Sequence, residues 1–283
     1  MKIGLVGLGY WGKIILRNLR ELGYRDITVC EQQRVDWSQI GSKFPLVKDY
    51  KKLDCDAVFV VVPAKLHYNI CEHFLSSGVD VFCEKPLEPD VSRCEELYKI
   101  AEDNGAKLFV DWLFTYNPAV IKIKSLIQQW GAPQNIITNR MNFGPVRHDV
   151  GARWDLASHD VSIGCYLLDE KPEEVKWMDF KRLKESDQDD SVVGILNFSK
   201  TTLQINASWA YGMKNRMCIF EFDNGFLYWD DTTATLLYGN DILQVDKCSP
   251  LHSAINTFLN GFNKEEQEEQ KKLTMMTTEI LNV

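Results

Sequence analysis

The chain is 283 residues long, 45% hydrophobic and 25% charged, a composition typical of folded globular proteins and a length that suits two cores rather than one. A net charge of -8 without any Lys/Arg cluster argues against the concentrated basic face that nucleic-acid binding needs. The longest apolar run, residues 57–64, falls short of the roughly 20 residues that cross a bilayer, so neither nucleic acid nor membrane is expected as a partner.

Met1 and Lys2 lead straight into a strand-like run, which leaves no room for a secretory leader, and a cytoplasmic protein is expected. The cysteines at 30, 55, 71, 83, 94, 165, 218 and 248 are irregularly spaced and contain no C-x-x-C pair. They read as reduced, mostly buried thiols.

The first third alternates short apolar runs with segments of helical period, the pattern of βαβ units around a parallel sheet. Strands are expected at residues 2–6, 26–30, 56–62, 79–83 and 107–110, with helices at 13–22, 67–77 and 91–104. Gly23, Gly78 and Gly105 stop those helices. Pro118 then opens an amphipathic helix through Trp130 that leaves the sheet domain. The expected division is therefore residues 1–116 as a dinucleotide-binding Rossmann domain and 117–283 as a substrate and oligomerisation domain.

From Asn135 to about Tyr238 the chain holds runs rich in β-branched and aromatic residues, at 191–198, 202–209, 217–222 and 225–229. They predict a mainly antiparallel sheet, with a hairpin turn at Asn224-Gly225 and one helix over 155–168. A helix is expected near 251–262, and the charged run 264–272 reads as a solvated helix face.

Gly7-Leu8-Gly9-Tyr10-Trp11-Gly12 fits G-x-G-x-x-G between a strand and a helix, the context in which that motif holds a dinucleotide pyrophosphate at a helix N-terminus. Gly7 permits the turn, Gly9 lets the phosphates approach the backbone, and Gly12 lets helix and strand pack closely. Glu31 closes the second strand, 19 residues after Gly12, where a carboxylate accepts from ribose hydroxyls and repels a 2′-phosphate. NAD is therefore favoured over NADP, although Arg34 lies nearby.

Glu84-Lys85-Pro86 follows a strand at the carboxyl edge of the sheet, where ligands bind in open α/β folds. Asp155 and His159 are four apart and share one face of a helix. An imidazole is suited to take a hydroxyl proton near neutral pH while hydride leaves the same carbon. Lys85 would stabilise the alkoxide that develops, and Asp155 would orient the imidazole or contact a substrate hydroxyl. No metal site is expected, because these residues lack further ligands at recognisable spacing.

Together the glycine loop, Val62-Pro63-Ala64-Lys65-Leu66-His67, Glu84-Lys85-Pro86, Tyr116-Asn117-Pro118 and the run Trp154 to Asp160 resemble the glucose-fructose oxidoreductase, inositol 2-dehydrogenase and MocA (Gfo/Idh/MocA) family. The resemblance implies a Rossmann domain followed by an α/β domain with an open, mostly antiparallel sheet that lines the substrate site and supports homo-oligomers. It implies a catalytic group of Lys85, Asp155 and His159, and a Lys85-Pro86 bond that is often cis. It also implies that Tyr10, Trp11, Pro63, His67, Glu84 and Lys85 join the glycines and Glu31 around the cofactor. Tyr116, Asn117, Arg140, Arg147 and Trp154 would flank the substrate.

The Trp154-Asp155-Leu156 version of the last motif, with Arg140 and Arg147 upstream, is similar to the family's surface-polysaccharide branch. It implies a sugar substrate, in first place a nucleotide sugar whose diphosphate the arginines would grip. Two alternatives stand beside it: a polyol or cyclitol dehydrogenase, and a regulatory protein that binds NAD(H) without turnover. The chain is shorter than most members after Phe262, which implies reduced or altered packing of the C-terminal helix against the nucleotide domain.

Overall fold

The computed structural model describes residues 1–40, 43–148, 150–183 and 187–283. It divides into two compact units, Met1–Leu113 with Ser249–Thr278, and Phe114–Cys248 with Glu279–Val283. Residues 249–278, which a single cut at 116/117 places in the second domain, thus belong to the first unit.

The first unit runs β1 (Ile3–Val6), α1 (Tyr10–Glu21), β2 (Ile27–Cys30), β3 (Leu46–Val47), β4 (Ala57–Val60), α2 (His67–Leu75), β5 (Asp80–Cys83), α3 (Val91–Asp103) and β6 (Leu108–Val110). The strands form one parallel sheet in the order β3-β2-β1-β4-β5-β6, the doubly wound arrangement that the alternating pattern predicts. β1, β4 and β6 are buried along their whole length, as strands covered on both faces must be. The two-residue strand β3 has no sequence signal of its own and is held by pairing with β2.

In the second unit come α4 (Pro118–Trp130), β7 (Asn135–Phe143), α5 (Ser158–Leu168), β8 (Glu174–Phe180), β9 (Ser191–Asn197), β10 (Thr202–Ser208), β11 (Ala210–Phe222), β12 (Gly225–Asp230), β13 (Thr235–Tyr238) and β14 (Asp241–Ile242). These strands form one sheet, β14-β13-β12-β11-β7-β10-β9-β8. Every neighbouring pair is antiparallel except β10 with β7. The tight turn between β11 and β12 falls at Asp223 and Asn224, with Gly225 at φ +151°.

The chain then returns to the first unit as α6 (Pro250–Asn256), a π turn (Thr257–Gly261) and the start of α7 (Lys264–Leu281). Phe258 from that turn packs against Phe59, Phe82 and Phe109, whose rings line up across β4, β5 and β6 at 4.8 and 4.9 Å. Burying each such ring is worth about 1.5–3 kcal/mol.

Of the reduced or altered packing expected for the C-terminal helix, α7 overturns only the first. β6 is an edge strand, and its outward amides need acceptors. Gln267 accepts from the Leu108 amide at 2.9 Å and Gln270 from the Val110 amide at 2.6 Å. Tyr98 on α3 meets Thr274 at 3.1 Å. The run 264–272 is thus only partly a solvated face: its acids point outward while its two buried glutamines close the sheet edge.

Six of the eight cysteines are buried and only Cys248 is exposed. Burial pushes the thiols of Cys94 and Cys165 up to about 12, so they serve as small packing groups rather than nucleophiles. No helix among the described residues is long and apolar enough to cross a membrane.

Candidate active site

The glycine loop follows β1 directly and opens α1. Gly7 has φ +94°, and a Cβ there would lie 2.2 Å from the Val61 carbonyl oxygen. A Cβ on Gly12 would lie 2.1 Å from the Gly7 carbonyl oxygen. Both positions therefore tolerate only glycine, the first for its turn and the second for close packing. Gly9 caps α1 without a side-chain hydrogen bond and has open space around it, which leaves the first amides of the helix available to an anionic ligand.

A cavity of about 1150 Å³ lies over this loop, bordered by Gly7, Gly9, Tyr10, Glu31, Pro63 and Asn69. The Glu31 carboxylate accepts from the Leu8 amide and the Gln33 amide, each at 2.9 Å. Its negative charge is thereby fixed at the end of β2. Lys48 donates to the Gln32 and Gln33 carbonyls at 2.7 Å and holds the segment after β2 in place. Lys13, Lys48 and Tyr50 also border this cavity; none lies within a recognisable motif, so the sequence alone did not point to them. The open cradle at Gly9, the glycine-only contacts at Gly7 and Gly12, and the anchored carboxylate of Glu31 fit a dinucleotide.

Two residues assigned to the cofactor sit elsewhere. Trp11 borders a smaller hollow of about 430 Å³ with Ile14, Arg17 and residues of α6. His67 is 1% exposed; one ring nitrogen, Nδ1, lies 2.7 Å from the Pro86 carbonyl and the other, Nε2, 2.8 Å from the Val62 carbonyl. It ties the segment after β4 to the segment after β5 from within the core.

The Lys85-Pro86 bond is cis, and Lys85 stands just beyond β5 at the carboxyl edge of the parallel sheet. Glu84 stands in register beside Asp111, a buried residue following β6 that sequence reasoning missed. A lone acid after a strand carries no local signal; only the register of β5 with β6 brings it beside Glu84.

In the second unit, Asp155 lies in a π turn (Arg153–Ala157) that leads into α5, and His159 lies in the first turn of α5. Such turns recur at functional sites because they re-aim side chains. Asp155 accepts from Arg147 Nη1 at 2.8 Å and from Trp209 Nε1 at 3.2 Å, so both carboxylate oxygens are engaged. The His159 ring meets Phe114 edge-on at 5.1 Å.

Arg140 and Asn117 are both engaged within the second unit. Arg140 is buried, donates from Nε and Nη2 to the two oxygens of Asp160 at 3.0 Å, and lies over the Phe114 ring at 4.3 Å. Two of its guanidinium nitrogens are thus held by Asp160 inside the unit. Asn117 caps α4 by accepting from the Ala119 amide at 2.9 Å, and its amide reaches Asp231 at 3.4 Å. Tyr116 closes the 3-10 turn before it, and Trp154 is half-buried in the π turn. Arg216 was not foreseen: it stands 3.9 Å from Asp231, and its buried Nε has no hydrogen-bond partner.

The chain matches the family profile described as oxidoreductase family, NAD-binding Rossmann fold, over residues 1–112, and that of the GFO/IDH/MocA C-terminal domain over residues 119–227. It is 24% identical over 181 residues to the UDP-N-acetylglucosamine 3-dehydrogenase of Acidithiobacillus ferrooxidans, a match covering 62% of this chain and 57% of that protein. The solved structure of that enzyme superposes with a TM-score of 0.86 at 18% identity, covering 99% of this chain and 96% of the other. The myo-inositol 2-dehydrogenase of Thermotoga maritima is 25% identical over 264 residues, covering 85% of this chain and 78% of that protein. GenD2 from gentamicin A biosynthesis, solved in complex with NAD, superposes with a TM-score of 0.79 at 18% identity, covering 99% of this chain and 92% of the other.

Proposed function

Because the chain belongs to the Gfo/Idh/MocA oxidoreductase family, with its NAD-binding Rossmann fold, we propose that it transfers a hydride to or from a ring carbon of a sugar, in first place a nucleotide sugar. The observation that carries this reading is the cavity of about 1150 Å³ over the glycine loop, with Glu31 anchored at its border. When bound there, NAD supplies the hydride acceptor or donor, and the Glu31 charge disfavours a 2′-phosphate.

The chain's own residues handle the proton and the charge. His159 takes the hydroxyl proton in the oxidative direction and returns it in the reductive one. Lys85 stabilises the negative charge that develops on the oxygen. Asp155, held by Arg147 and Trp209, is fixed as an acceptor for a substrate hydroxyl or the imidazole. Homo-oligomers form through the open sheet of the second unit, whose Phe143, Met178, Met213 and Phe226 are exposed.

A second reading, a cyclitol or polyol substrate, is favoured by one observation: Arg140 and Arg147 are engaged by Asp160 and Asp155, which leaves fewer cations for a diphosphate. Incubating the purified protein and NAD with UDP-N-acetylglucosamine, and separately with myo-inositol, while following NADH absorbance distinguishes the two. NADH formed with the first alone supports the nucleotide sugar. NADH formed with the second alone supports the cyclitol.

A further inference from the structure

Asp111 is a buried acid that the chemistry above leaves unused. It follows β6 and stands in register beside Glu84, because Cys83 pairs with Val110 in the parallel ladder and the Asp111 amide donates to the Cys83 carbonyl at 2.8 Å. Only 3% of the residue is exposed. The register sets its carboxyl beside that of Glu84, and its Oδ1 is buried without a hydrogen-bond partner.

Two neighbouring ionised carboxylates repel and have no donor to offer each other, and a proton on one of them relieves both problems. Burial and then the charge of Glu84 push the Asp111 carboxyl well above the usual carboxylate range, while Lys85 pulls the other way. Among the described residues, the charged groups bearing on Asp111 are these two, both from the segment after β5. The neighbouring Trp112 makes a neutral contact, donating its indole N–H to Thr274 on α7 at 2.9 Å.

We propose that Asp111 and Glu84 form a carboxylic acid–carboxylate dyad that shares one proton and presents a single negative charge to Lys85, which makes Asp111 a positioning residue for the Lys85 ammonium. The proposal deepens the reading of Lys85 as the group that stabilises the reacting oxygen, and rests on it. A doubly ionised pair would suffer like-charge repulsion in a buried site. One shared proton avoids it and keeps a single negative charge for Lys85.

Two measurements on the full chain test the dyad without a substrate. Infrared spectroscopy at neutral pH should show the carbonyl stretch of a protonated carboxylic acid that is missing from Asp111→Asn; its absence from the wild type would mean that both acids are ionised, and would overturn the proposal. NMR titration of protein carrying ¹³C-labelled lysine, with the Lys85 signal assigned by its loss in Lys85→Met, reads the ammonium itself. Asp111→Asn and Glu84→Gln each leave one negative charge and should keep the Lys85 midpoint where it is. The double variant leaves none and should lower it by about one unit or more, a tenfold change in proton affinity. Equal downward steps in the two single variants would mean two independent charges and would sink the dyad. Should Lys85→Met retain wild-type turnover while the infrared band and the titration behave as expected, the shared proton stands and the role given to Lys85 falls.

Discussion

Arg140 grips both oxygens of Asp160, Nε to Oδ2 and Nη2 to Oδ1, each at 3.0 Å, with both side chains buried. The Arg140 guanidinium lies over the Phe114 ring, which meets the His159 ring in a T-shaped contact, so the pair supports the wall beside His159. Asp160→Ala leaves an uncompensated buried cation and is expected to destabilise the protein by about 3–5 kcal/mol. Denaturant unfolding checks this; an unchanged midpoint would mean that water or another acid already satisfies Arg140.

Gly12→Ala brings a Cβ to within 2.1 Å of the Gly7 carbonyl oxygen, a distance that only a shift of the loop relieves. NAD affinity is expected to fall by about tenfold or more, equivalent to about 1.4 kcal/mol. Calorimetric titration with NAD measures it, alongside a thermal melt that reports any loss of fold.

Glu31→Ala removes the acceptor held by Leu8 and Gln33 together with the charge that repels a 2′-phosphate. NAD should bind about tenfold more weakly, and the preference for NAD over NADP should shrink by at least as much. Parallel titrations with the two cofactors decide the matter. A preference unchanged in the variant would place the discrimination elsewhere, with Arg34 and Lys48 next in line.

Asp111 makes stability fall as pH rises. Its folded-state carboxyl is raised above the ordinary value by burial first and Glu84 second, so the folded state binds the proton more tightly than the unfolded one. The stabilisation is complete below the unfolded value, near about pH 4, and is lost as pH climbs toward the folded one. Asp111→Asn abolishes this dependence. Its melting temperature relative to wild type should therefore rise from about pH 5 to about pH 7, and a difference that is flat across that range would contradict the assignment.

The parts of the fold written in short-range patterns were legible from the sequence. The glycine loop and α4 with its Asn117-Pro118 start announce themselves within a few residues, and β1, β2 and β4 to β6 lie where apolar runs placed them. What escaped depends on partners far apart in the chain. That Arg140 is held by Asp160 could not be read, because nothing near it in sequence names a partner 20 residues on. Asp111 gave no signal because its neighbour Glu84 is reached only through the register of β5 with β6. The helical reading of 155–168 was right in kind, yet the π turn at Arg153–Ala157 is a choice of hydrogen-bond ladder that composition does not encode. The buried glutamines of α7 were hidden in a charged run, because their role is set by the unpaired edge of β6.

The most direct test of the central claim is hydride transfer by Lys85→Met and His159→Ala, measured as NADH formed on the substrate that the wild type turns over, with NAD binding titrated in the same samples. Each variant is expected to bind NAD as the wild type does and to lose at least about a hundredfold in kcat, the lower end of what a positioned acid or base contributes. Turnover at the wild-type rate in both variants, with NAD still bound, would contradict the chemistry assigned to these two residues.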